Sequence, residues 1–229
     1  MPILEKQLAM TIEQPISIEI EQGIHLRGEQ IVPEECFGLV LFAHSGEVGR
    51  SSPGSQRTVC ELEEHGLAVI TFDLLSRNEQ EEEVHTGGHL LDVPLAASRL
   101  LGAAAWTSRQ QELQGLPIGF LGSGAIAPAA LVAAAERPSS LAAVVCQGGR
   151  VDLAGSALSQ VQTPALLLVG GADALLARSH ESALLRLGSA RKELVMIPGG
   201  SSRLDYPGER ETVAELVAEW FSQNLILAN

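Results

Sequence analysis

Six short, continuously apolar runs separated by helix-length gaps constrain this chain more than any other feature. They are Gly38-Leu-Val-Leu-Phe-Ala, Leu67-Ala-Val-Ile-Thr-Phe, Leu116-Pro-Ile-Gly-Phe-Leu, Leu141-Ala-Ala-Val-Val-Cys, Ala165-Leu-Leu-Leu-Val and Glu193-Leu-Val-Met-Ile. A strand that is apolar on both faces must be covered on both faces, which is the situation of a parallel sheet between helix layers. Ahead of them, Ile16-Ser-Ile-Glu-Ile-Glu-Gln-Gly-Ile-His-Leu-Arg-Gly alternates apolar and polar residues around a Gln-Gly turn, the pattern of an antiparallel hairpin. Helical patterns fill the gaps. Val213, Leu216, Val217, Trp220 and Phe221 fall on one stripe, residues 89–112 and 175–187 read similarly, and the alanine-rich 124–135 is more buried. The order predicts an α/β chain: a three-layer α/β/α sandwich on a mostly parallel sheet of about eight strands, without a cap domain, forming one domain over residues 1–229.

A chain of 229 residues that is 45% hydrophobic is long enough for one large core. Its formal net charge of −13 argues against nucleic-acid or anionic-membrane partners, because phosphates need clustered Lys and Arg. The acidic stretch Glu79-Gln-Glu-Glu-Glu83 reads as a solvated loop. Cys36, Cys60 and Cys146 are too few and too scattered for a disulfide framework or a zinc site, and Cys60 and Cys146 read as small core residues. The first residues lack the basic and apolar blocks of a signal peptide, and no apolar run approaches the ~18 residues of a membrane span. A cytoplasmic location is the resulting expectation.

Ligands of open parallel sheets bind at the carboxyl ends of the strands. The segments placed there are Ala43-His44-Ser45-Gly46, Leu121-Gly-Ser123-Gly124-Ala125, Val169-Gly-Gly-Ala-Asp173 and Pro198-Gly-Gly-Ser-Ser202. Over roughly residues 35–225 the chain resembles the dienelactone-hydrolase-like family of the α/β hydrolases. The matching stretches are Gly38–His44, Phe72-Asp-Leu-Leu, His85-Thr-Gly-Gly-His, Gly115-Leu-Pro-Ile-Gly-Phe, Ala135-Glu-Arg-Pro, Gly148-Gly-Arg and Val169-Gly-Gly-Ala-Asp.

The resemblance implies a nucleophile in a Gly-x-Ser-x-Gly turn after the fifth strand. It also implies an Asp after the seventh, a His after the eighth, and an oxyanion hole of backbone N–H groups beside the nucleophile and after the third strand. Asp173 fits the acid position. The flanking match puts Gly124 in the nucleophile position, whereas a generic hydrolase register puts Leu121 there; neither has a nucleophilic atom. Ser123 is the one local hydroxyl and needs a shifted register. No histidine follows His180, and Ser202 stands where the family's His belongs, with Arg203 next to it. A serine hydroxyl without an imidazole beside it is a poor nucleophile near neutral pH.

Three functional readings follow. The first is a catalytically silent hydrolase fold serving as a small-ligand-binding or protein-interaction module. The second is an active hydrolase of small esters or lactones using Ser123 or an unrecognised base. The third is nucleotide or cofactor binding at Gly122-Ser-Gly124, since Gly122-Ser-Gly-Ala-Ile-Ala127 fits G-x-G-x-x-A; three strand–helix units precede it, and no cofactor is expected. Within the first reading, His44, Ser45, Gly46, Arg50, Gly124, Ala125, Ser202 and Arg203 are the candidate ligand-binding residues. Arg50 and Arg203 near a helix start at Gly124 suggest a small-anion site. His44 is read as shaping the turn after the third strand, Asp173 as capping the helix after it, and the His85/His89 pair as structural rather than metal-binding.

Overall fold

The computed structural model describes residues 11–21, 23–86 and 92–226. The alternating segment forms β1 (Thr11–Glu21) and β2 (Ile24–Pro33), and the six apolar runs form β3 (Gly38–His44), β4 (Leu67–Asp73), β5 (Ile118–Ser123), β6 (Ala143–Gln147), β7 (Ala165–Gly170) and β8 (Lys192–Ile197). They make one eight-stranded sheet in the order β1-β2-β4-β3-β5-β6-β7-β8. β2 is antiparallel to both β1 and β4, while β3 through β8 are mutually parallel. Every residue of β3, β4 and β7 is buried, as two-faced apolar strands require.

Seven α-helices complete the described residues: α1 (Glu47–Arg50), α2 (Pro53–Glu64), α3 (Arg77–Thr86), α4 (Val93–Thr107), α5 (Ala127–Glu136), α6 (Ala174–Arg186) and α7 (Glu209–Leu225). Buried side chains of α4 and α5, such as Leu100 and Leu131, join Leu39, Leu41 and Phe120 in one core layer. Leu62 of α2 and Val213, Val217 and Phe221 of α7 join Val40, Phe42 and Leu121 in the other. Each fully buried Phe or Leu among them contributes about 1.5–3 kcal/mol. α7 lies close over β3 and β5 because both present glycine there; a Cβ on Gly119 would fall 2.4 Å from Phe221 and one on Gly38 the same distance from Leu225. Between β6 and β7 only the 3₁₀ segment Val151–Gln160 intervenes, so no cap domain sits at that crossing.

Three readings are corrected. The acidic stretch 79–83 lies in α3, whose start is fixed by Ser76: its N–H and Oγ both donate to Glu79 Oε2, at 2.8 and 2.7 Å. With the Glu79 N–H donating back to Ser76 Oγ at 3.5 Å this is a capping box, and Glu79 also holds Arg99. Cys60 is exposed, because the buried face of α2 is Thr58, Glu61 and Leu62. The helix expected over 89–112 is α4, which starts at Val93 after the Asp92 cap and ends at Thr107. His85 belongs to α3, and His89 lies outside the described residues.

Candidate functional site

Strand register brings the expected loop ends together. Ala43 pairs with Gly122 and Ser123 with Gln147, so His44, Ser123 and Gln147 end three adjacent strands side by side. Beyond them opens a cavity of about 480 Å³. Of the residues expected from sequence, His44, Ser45, Ser123, Gly124, Ala125, Ser202 and Arg203 line it. Ser52, Gly54 and Ser55 from the start of α2, together with Gln147 and Asp205, complete its polar wall.

The turn after β5 is tight. Gly124 has φ +57°, in the left-handed region, whereas Ser123 keeps an ordinary extended backbone at φ −114°, ψ 140°. Leu121 is a buried strand residue. A Cβ on Gly149 would fall 1.8 Å from the Gly124 carbonyl oxygen, so the loop after β6 closes onto the turn only because it is glycine. A Cβ on Gly124 itself would meet nothing within 4 Å. The chain continues through the 3₁₀ turn Gly124–Ile126 into α5, with Pro128 at the helix start where a missing N–H is tolerated.

No histidine of the described chain stands where a general base is needed. His44 is 4% exposed, stacks obliquely on Phe42 at 4.1 Å between ring centroids, and leaves Nε2 without a partner. Burial, reinforced by the Arg50 charge, pulls its pKa down to about 3, so it is neutral and a weak base at physiological pH. His180 is fully buried in α6, its Nδ1 3.0 Å from the Leu176 carbonyl, and does not line the cavity. Asp173 is the N-cap of α6: Oδ1 accepts the Leu176 N–H at 3.0 Å, and the side chain lies outside the cavity lining. Cys146 is fully buried, donates to the Ala127 carbonyl at 3.3 Å, and burial pushes its thiol pKa far up.

Two expected ligand-binding residues are placed elsewhere. The Arg50 guanidinium is drawn to Asp73, which is fully buried at the end of β4 (Nε to Oδ1 3.4 Å), and to Glu29 of β2. An uncompensated carboxylate there would be costly, and Arg50 answers it. Arg50 does not line the cavity, so the two-arginine anion spot is not formed. Gly46 borders a separate recess with Leu75, Gln80 and Val84.

The loop after β8 carries features that sequence reasoning missed. Leu204 has φ +54°, the one non-glycine residue with positive φ among those described, and is fully buried. Its N–H donates to Ser201 Oγ at 3.1 Å; Ser201 N–H and Oγ donate to Glu209 at 2.9 and 2.8 Å. This plug leaves Arg203 and Asp205 on the cavity wall. Ser202 is exposed beside them. Among the described residues no group of three or more His, Cys, Asp or Glu is placed to hold a metal ion, and no helix is long and apolar enough to cross a membrane.

No family model matches the chain. It is 40% identical to a dienelactone hydrolase from Anabaena variabilis, whose crystal structure superposes with a TM-score of 0.89 over 94% of this chain and 99% of that one. The esterase Est1E from Butyrivibrio proteoclasticus shares the fold at 16% identity and a TM-score of 0.72, over 92% and 98% of the two chains. Two strains of Mycobacterium tuberculosis carry a protein provisionally named as a phosphoribosyl transferase. It is 35% identical over 202 residues, which are 88% of this chain and 44% of that protein. The chain thus spans less than half the length of these curated relatives.

Proposed function

The chain belongs to the dienelactone-hydrolase family of the α/β-hydrolase fold, and from that premise we propose that it no longer performs Ser–His–Asp hydrolysis and keeps the site as a pocket for a small polar molecule. The observation that carries this is Gly124. It holds the strained φ +57° position of the turn after β5, which in this family belongs to the nucleophile, and it has no side chain. Ser123 beside it has strand geometry, so its hydroxyl leaves the sheet edge in a different direction from a nucleophile raised on the turn. The histidine position after β8 is Ser202, and the cavity's histidine, His44, is a neutral buried ring. Two of the three working groups are therefore missing, while a cavity remains at the carboxyl ends of the strands.

Nucleotide binding is a weaker reading, because the strand after the glycine turn ends in Gln147 rather than in the acid that takes a ribose hydroxyl. Phosphoribosyl transfer is weaker still for this part of the molecule: its substrate bears several phosphates, and Arg203 is the one cation of the cavity lining, two residues from Asp205. More than half of the relatives with that name lies outside the match.

Short acyl esters and a small lactone are the test substrates. Purified protein turns them over at no more than the background expected from binding and backbone polarisation, about 10⁴- to 10⁶-fold below a working triad. Robust turnover abolished by Ser123→Ala reverses the conclusion and makes the protein an active hydrolase.

A further inference from the structure

Arg203 and Asp205 line one cavity without touching each other, and we propose that together they recognise a small zwitterion of the α-amino-acid type, a carboxylate and an ammonium on one short carbon frame. The inference rests on the pocket reading above and adds the class of ligand.

The loop keeps the two charges separate, with Arg203 exposed and Asp205 half-buried. Leu204 lies between them, turned into the core at φ +54° and fully buried, and Ser201 and Glu209 clamp it through the hydrogen bonds already described. A left-handed leucine is a strained choice, of the kind concentrated at ligand clamps, and its effect here is to leave both neighbours on the cavity wall. Among the described residues neither Arg203 nor Asp205 has an ion-pair or side-chain hydrogen-bond partner. Asp205 Oδ1 is enclosed and unpartnered. It lies against the first turn of α2, where a Cβ on Gly54 would fall 2.4 Å from it and where the helix dipole favours negative charge. Arg210, whose Cβ borders the same glycine, lies 3.7 Å from Glu211, and its buried Nε makes no hydrogen bond.

These two are the charged residues of the lining, so the wall is neutral overall. A simple carboxylate gains Arg203 but faces Asp205; a simple amine gains Asp205 but faces Arg203. A zwitterion satisfies both, and like-charge juxtaposition disfavours either half alone. The rest of the wall suits a compact polar guest. Ser123 offers a hydroxyl and Gln147 an amide, the Ser52 and Ser55 hydroxyls donate to Ser55 and to the Gly49 carbonyl, and the one ring of the lining, His44, is buried against Phe42.

Calorimetric titration of the full chain with L-alanine, L-serine, propionate and propylamine tests the proposal, in wild type, Asp205→Asn, Arg203→Gln and Gly54→Ala. The expected result is binding of the amino acids at least about tenfold tighter than of either half-molecule. Asp205→Asn should lose that preference and bind propionate as well as or better than wild type does. Arg203→Gln should lose the carboxylate-bearing probes. Gly54→Ala, checked by its melting curve to be folded, should displace the Asp205 carboxylate and mimic Asp205→Asn. If propionate binds wild type as tightly as alanine, or the preference survives in Asp205→Asn, the zwitterion inference is overturned while the pocket reading stands. If none of the four probes binds wild type, the zwitterion inference fails outright, and the pocket reading then rests on the ester assay alone.

Discussion

Restoring a hydroxyl at the turn is the sharpest perturbation of the silent-site reading. In Gly124→Ser the new Cβ meets nothing within 4 Å, so the substitution is sterically open. Its penalty is conformational: φ is +57°, and a left-handed non-glycine residue costs about 1–2 kcal/mol. Loss of glycine's freedom in the unfolded chain returns about 0.4–1 kcal/mol of that. The net loss of about 1 kcal/mol lowers the melting temperature of a chain this size by about 2–4 °C. The serine alone has no effective base, because His44, with its pKa pulled down to about 3, is too weak a base and Asp173 is occupied at the cap of α6, so ester hydrolysis should stay at the wild-type level. Adding Ser202→His brings an imidazole to a residue that lines the same cavity and whose carbonyl lies 2.9 Å from the Cβ position of Gly148, next to the glycine that closes on the turn. With Asp173 held at the cap of α6, a two-group site results, worth about 10²–10⁴ in rate over Gly124→Ser. Stopped assays on a p-nitrophenyl ester measure both steps, and melting curves check the strain. If Gly124→Ser alone hydrolyses as fast as the double variant, a base already exists in the cavity and the reasoning is refuted.

Three further outcomes follow from the charges and caps. Arg50→Ala should cost about 3 kcal/mol in denaturant unfolding, since it strands the fully buried Asp73, while leaving affinity for the cavity's ligand unchanged; a loss of binding without a loss of stability contradicts its placement. His44 sits at about 3 folded against about 6.5 unfolded, so the unfolded chain takes up the extra proton and stability falls as pH drops below 6.5; the loss between pH 7 and 5 is about 2 kcal/mol. In His44→Gln that part of the slope should vanish, and an unchanged slope in urea unfolding rejects the neutral-ring assignment. Asp173→Ala should cost about 1 kcal/mol through the lost cap on Leu176 and leave ligand titrations as they were; altered affinity returns Asp173 to the site.

What was legible in the residues was whatever a short window records. β3, β4 and β7 are buried on both faces and nothing but a covered parallel strand suits them. The hairpin's alternation gave β1 and β2 for the same reason, and the glycine turn after β5 was visible as glycine. α3 was misread although Ser76-x-x-Glu79 is a capping signal, because the five acidic and amide side chains of 79–83 outweighed it. Cys60 was misplaced by helix phase: the residues one and two after it, Glu61 and Leu62, take the buried face of α2. The site suffered more, since direction is set by neighbours distant in sequence. Arg50 does lie near the right sheet edge, but Asp73, brought beside it by the pairing of β4 with β3, turns its guanidinium away. Asp205 was missed because no periodicity marks a loop whose geometry depends on one left-handed leucine.

That loop also decides how the emptied site should be understood. Asp205 Oδ1 and His44 Nε2 are buried without partners, and each unsatisfied polar atom of this kind costs about 1–3 kcal/mol. Leu204 adds about 1–3 kcal/mol of backbone strain. In an active hydrolase such costs are borne by catalysis; on the silent-site proposal they are left to ligand binding. A polar guest that reaches the Asp205 carboxylate and the Arg203 guanidinium offsets part of them with charge-assisted hydrogen bonds of its own, and does so only when bound. Ligand binding and loop order are therefore one equilibrium: whatever fills the cavity must also stabilise the fold, and a molecule that binds without raising the melting temperature is not held by these two residues.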